Sequence, residues 1–143
     1  MYLIVGGSSD IGYELSKKLI KEDDIIITYN TKKNLKKISS KNKKITYLKL
    51  DLTKQKKIDL FIKSNKKLLK NIKFINLATT KADKLIINLN SKEIENVFKI
   101  NVLSNIYFSR KILNLMIKQN YGRFIFFTSK RASRGDVGIS LYS

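Results

Sequence analysis

Tyr2-Leu3-Ile4-Val5-Gly6-Gly7-Ser8-Ser9-Asp10-Ile11-Gly12 opens the chain and sets a pattern that the remaining residues repeat. Four apolar residues run into paired glycines, the form of a short buried strand ending in a turn. Beyond the turn Ile11, Leu15 and Leu19 recur every four residues, with polar Glu14, Lys17, Lys18 and Lys21 elsewhere. That spacing puts the apolar side chains on one face of an amphipathic helix. Asp10 stands just before the first periodic residue, where its carboxylate is expected to cap the helix. Between strand and helix, the turn offers backbone amides and the positive helix end to an anion, phosphate being the natural guest. Glycine-rich turns also serve as plain tight connections, so the motif alone leaves both readings open.

The same alternation continues outward. Ile25-Ile26-Ile27-Thr28-Tyr29 reads as a second strand. A lysine-rich helical stretch around 32–40, a strand over Ile45–Leu50, a helix over 54–70 and a strand over Ile72–Ala78 come next. A long helix carries the stripe Ile94, Val97, Phe98, Phe108, Ile112, Leu115 and Met116 and leads into a last apolar run, Arg123–Phe127. Continuous apolar strands separated by helices are what a parallel sheet covered on both faces requires, and right-handed crossovers wind it doubly. The expected class is therefore α/β. Asn101 and Asn105 fall on the apolar stripe of the long helix, and a buried amide needs partners. A bond to nearby backbone and a functional role both satisfy that need.

Composition narrows the chemistry. With 143 residues, 43% of them apolar, the chain has one domain's worth of core-forming material. It has no Cys and no His, which excludes disulfides, thiol catalysis and thiolate metal sites, and removes the commonest metal ligand and general base. No metal site is expected. Thirty Lys and Arg against eleven Asp and Glu give +19, a field that attracts phosphate. The lysines are scattered along the chain instead of clustered in a stripe, and with abundant Ile and Asn and no Pro they fit the pattern of A+T-rich coding. A nucleic-acid partner is not the favoured reading. No stretch reaches the ~18 to 20 apolar residues of a membrane span, and Met1 leads into an apolar run, not a charged signal head. The expected location is cytoplasmic.

The spaced marks resemble the short-chain dehydrogenase/reductase family from the first residue to the last. The turn is similar to the family's Thr-Gly-x-x-x-Gly-x-Gly, with Val5 for Thr and Asp10 for the middle glycine. Asp51-Leu52 resembles the pair whose carboxylate takes the adenine amino group. Asn76-Leu77-Ala78-Thr79 stands in place of Asn-Asn-Ala-Gly, with Thr where the family's glycine allows close backbone approach to the ribose. Asn101-Val102 matches the Asn-Val of the long helix, where the resemblance implies that the Asn bends its helix and supports a water relay. Gly122-Arg123, Ser129 and Tyr142, thirteen residues after that serine, complete the series.

The resemblance implies a Rossmann-type sheet truncated after about its fifth strand, residues 1–143 forming an incomplete dinucleotide-binding domain. It implies catalysis by Ser129, Tyr142 and Asn101, and cofactor binding by Gly6, Ser8, Ser9, Ile11, Gly12, Asn30, Lys32, Asp51, Leu52, Asn76 and Ala78. The reaction implied is hydride transfer between nicotinamide and a small-molecule carbonyl or alcohol, in the manner of the 3-oxoacyl-carrier-protein reductase branch. A tyrosine with an ordinary pKa of about 10 needs a nearby cation for acid/base work near neutrality. The family's lysine four residues on falls past Ser143, so the 143 residues alone are expected to show no turnover. In the family the long helix pairs between subunits, implying a homo-oligomer for a full-length form and uncovered apolar surface here. Tyr29-Asn30-Thr31-Lys32-Lys33 lacks the acidic residue that suits NAD, and its two cations suit the 2′-phosphate of NADP, the expected cofactor ahead of NAD. The alternative is a non-catalytic nucleotide-binding remnant or a basic fragment that binds nucleic acid.

Overall fold

The computed structural model describes residues 1–30 and 44–143. The helix expected around 32–40 lies outside the described residues, as do Lys32 and Lys33. Five strands, β1 (Tyr2–Val5), β2 (Ile25–Tyr29), β3 (Ile45–Lys49), β4 (Lys73–Asn76) and β5 (Arg123–Phe126), form one sheet in the order β3-β2-β1-β4-β5. Every pairing is parallel. Strand order reverses between β1 and β4, whose register pairs Val5 with Asn76 at their C-terminal ends. This is the doubly wound, Rossmann-type arrangement, with a crevice outside the carboxyl ends at the switch point.

Burial explains why the central strands carry unbroken apolar runs. All four residues of β1 are buried, as are the first four of β2. On one face Leu3, Val5, Ile26 and Phe74 meet Ile58, Phe61 and Ile62 of α2 (Gln55–Ser64) and Phe108, Ile112 and Met116 of the long helix. Phe74 and Phe108 pack with ring centroids 5.5 Å apart. On the other face Tyr2, Ile4, Ile25, Ile27 and Ile75 are covered by Tyr13, Leu15, Leu19 and Ile20, chiefly from α1 (Asp10–Leu19). Ile11, expected on that buried stripe, is 62% exposed. The line of closest approach instead runs through Gly12 and Ser16, both buried, because small residues let the helix lie close to the turn beneath it.

Several elements are shorter than the periodicity indicates. Helix α2 stops at Ser64 because Asn65 turns its side-chain amide back to the Phe61 carbonyl at 2.8 Å, so Leu69 reaches the core from a turn. Strand β4 leaves the ladder once the Asn76 side chain, in place of a neighbouring strand, accepts the Ala78 amide at 2.9 Å. The long helix is α3 (Ser91–Phe98) and α4 (Ser104–Lys118) joined through a π-helical turn over Lys99–Leu103. An Asn90–Glu93 capping box starts α3. Among the described residues no helix is long and apolar enough to cross a membrane.

Candidate active site

The glycine turn is held from below by β2. Gly6 donates to Thr28 Oγ1 at 3.2 Å and Gly7 to the Thr28 carbonyl at 3.1 Å. Gly6 has φ +72°, and a Cβ there would lie 2.7 Å from Ala78 Cα, so only glycine admits the loop after β4. A Cβ on Gly12 would lie 2.4 Å from the Gly7 carbonyl oxygen, which sets how closely α1 sits on the turn. The helix cap is Ser9, whose Oγ accepts the Gly12 amide at 3.1 Å. Asp10, expected as the cap, is the first helical residue, where its charge favours the positive helix end.

Two adjoining clefts open at the carboxyl ends of the strands. The larger, about 460 Å³, is lined by Gly6, Ser8, Ser9 and Asp10 of the turn, by Asn30, Asp51 and Leu52 beyond β2 and β3, and by residues 77–80. The smaller, about 170 Å³, brings together Asn76, Asn101, Ser129 and Tyr142 with Phe126, Phe127 and Thr128. Ala78 lines both. Ile11 and Gly12 are not among the lining residues: Ile11 faces solvent, and Gly12 acts by packing on Gly7. The Asp51 carboxylate accepts the Thr53 hydroxyl at 2.6 Å and the Thr53 amide at 3.0 Å, and those bonds hold its pKa below the usual carboxylate value.

A ladder of asparagines fixes the loop between the clefts. Asn76 donates to Asn105 Oδ1, and Asn105 donates to the Asn101 carbonyl at 2.7 Å. That carbonyl belongs to the π turn, where widened backbone geometry exposes groups an α-helix would satisfy. The Asn101 side chain accepts the Thr80 amide at 2.8 Å and donates to the Thr80 carbonyl at 2.8 Å. Asn105 therefore takes the local backbone partner, whereas Asn101 reaches across to another element. Ser129 Oγ accepts the Arg131 amide at 3.2 Å, a bond that uses a lone pair and leaves the hydroxyl proton available to a guest. Tyr142 lies in a turn begun at Ile139, its amide donating to the Ile139 carbonyl at 2.9 Å, and Ile139 is buried.

Sequence reasoning overlooked Thr28, Thr53 and Thr80, which brace the turn, Asp51 and the loop, and read Thr79 only as a departure from the family's glycine. Thr28 sits inside an apolar strand, and its partners are 22 and 21 residues away in Gly6 and Gly7, so no local pattern marks it. Thr53 was visible as an Asp-x-Thr turn.

The profile of the short chain dehydrogenase family matches residues 1–143, the whole chain. The chain belongs to that family. Among its relatives, the 3-oxoacyl-[acyl-carrier-protein] reductase FabG of Buchnera aphidicola subsp. Schizaphis graminum is 32% identical over 99% of this chain and 59% of its own length. The FabG of Buchnera aphidicola subsp. Acyrthosiphon pisum is 30% identical over 98% and 59%. This short chain dehydrogenase chain thus spans about 59% of the length of the curated relatives it matches. The solved structure of ElxO with NADP bound superposes with a TM-score of 0.83 at 23% identity, over 99% of this chain and 60% of that one, a likeness of fold.

Proposed function

We propose that the protein is an NAD(P)-dependent oxidoreductase that interconverts a small carbonyl compound and its alcohol. The observation that carries this reading is the adjoining pair of clefts, one floored by the glycine turn and Asp51, the other lined by Asn101, Ser129 and Tyr142. The larger cleft suits a dinucleotide: glycine admits close backbone approach, the α1 N-terminus favours a diphosphate, and Asp51 and Asn30 stand where adenosine groups need polar partners. When bound, a reduced nicotinamide cofactor supplies hydride to the carbonyl carbon. Ser129 holds the carbonyl oxygen through its hydroxyl proton, and the Tyr142 phenol delivers a proton to that oxygen. NADP is the proposed cofactor, supported by the absence of an acidic residue after β2 and by the NADP seen in ElxO. The 3-oxoacyl thioester class is the proposed substrate, supported by the two FabG relatives. Residues 1–143 form the dinucleotide-binding part of the domain.

NADPH consumption with a 3-oxoacyl thioester, measured on the protein purified from its native cell, tests the reading. Tyr142→Phe is expected to lower kcat by about 100-fold or more, the size of a lost general acid. An undiminished rate in that variant contradicts the assignment. Assembly from two or more copies is part of the proposal, supported by the exposed apolar stripe Val102, Ile106, Leu113 and Ile117 along the long helix.

A further inference from the structure

Ala78 and Thr79 are the two described residues that line both clefts. Ala78 offers no polar side chain, so the Thr79 hydroxyl is the side-chain hydrogen-bonding group at the seam. Its proton is directed to Asn101 Oδ1 at 3.3 Å, while its neighbour Thr80 is tied to the same amide through both backbone groups. The segment carrying Thr79 is thereby anchored to the π turn on one side. On the other it is pressed against the glycine turn, where Gly6 leaves no room for a Cβ beside Ala78. A hydroxyl that donates its proton inward keeps both oxygen lone pairs as acceptors, and Thr79 is exposed to the clefts.

We propose that Thr79 is a specificity-determining residue for the part of the dinucleotide that crosses from the larger cleft into the smaller, accepting a hydrogen bond from a sugar hydroxyl there. This rests on the reading of the larger cleft as a dinucleotide site. In this reading the adenosine half is held at Asn30 and Asp51, the part of the larger cleft beyond β2 and β3, and leaves the seam unfilled. One that extends to Ser129 and Tyr142 must pass it, so Thr79 discriminates between the whole dinucleotide and its adenosine half.

The test is calorimetric titration of the full chain with NADPH and with 2′,5′-ADP, using wild type, Thr79→Val and Thr79→Ser. Valine keeps the shape and removes the acceptor; serine restores it. Thr79→Val is expected to weaken NADPH about 5-fold or more, the scale of one lost hydrogen bond. Affinity for 2′,5′-ADP is expected to stay unchanged, and Thr79→Ser to bind NADPH nearly as wild type does. Equal weakening of both ligands in Thr79→Val assigns Thr79 to loop support alone and overturns the proposal, as does NADPH affinity unchanged in Thr79→Val. If wild type binds neither ligand, the failure belongs to the dinucleotide reading itself and takes this proposal with it.

Discussion

Gly6 meets two demands at once: a left-handed backbone and a neighbouring Ala78 backbone too close for any side chain. Gly6→Ala is therefore expected to destabilise the fold by about 1–3 kcal/mol, read as a lower urea midpoint at unchanged slope. An unchanged midpoint would mean that the turn and the loop after β4 separate freely. The need for glycine at this position was legible in the sequence, since paired glycines come directly after an apolar strand. The identity of its opposing surface was not, because Ala78 is 72 residues away and only the pairing of Val5 with Asn76 brings them together. Asp10 shows the limit of local pattern. Either of two adjacent side chains can cap α1, and the extended backbone of Ser9, with ψ 165°, gives it the role.

Among the helices, α4 combines a buried and an exposed apolar face, which periodicity alone does not separate. Ile112 is fully buried against the sheet, whereas Ile117 is 63% exposed. Ile112→Ala is expected to cost about 2–5 kcal/mol and Ile117→Ala to stay within about 0.5 kcal/mol, both measured by chemical unfolding of dissociated single copies. Equal losses there would mean that Ile117 is covered within its own chain. The alternation of strands and helices was legible because buried parallel strands demand continuous apolar runs. A bend at Asn101 was expected from the family resemblance; its form as a π turn over Lys99–Leu103 was not, nor was the Asn101 partner Thr80, 21 residues away. An amide on an apolar stripe signalled that something unusual happens there, without saying which partner it takes.

At the scale of the molecule, the cations behind the +19 charge are dispersed, for example Lys17 and Lys18 on α1, Lys56, Lys57 and Lys63 on α2, and Lys111 and Lys118 on α4. Carboxylates in such a surplus of cations find partners easily. Asp23 bonds the Met1 ammonium at 2.8 Å and Lys73 at 3.2 Å beneath the N-terminal ends of β1 and β4. The ammonium hydrogen bond is the main cause that lowers its pKa from 3.8 to about 2. A depressed carboxyl contributes stability that is present above its unfolded pKa and is lost as pH falls through the folded one. Acid titration of stability is therefore expected to show a loss between pH 3.8 and about 2 that Asp23→Asn reduces; identical curves for the two proteins would remove Asp23 from the account.

The turn, Asp51 and the loop over residues 77–80 are proposed to form one dinucleotide cleft. Backbone amide shifts recorded by NMR while NADPH is titrated into the chain at high salt test it most directly. Shifts are expected to concentrate in residues 6–12, 51–53 and 77–80 and to survive salt that screens the lysine field. Shifts spread over the lysine-bearing helices and abolished by salt would contradict it, leaving a basic surface that attracts phosphate without a site.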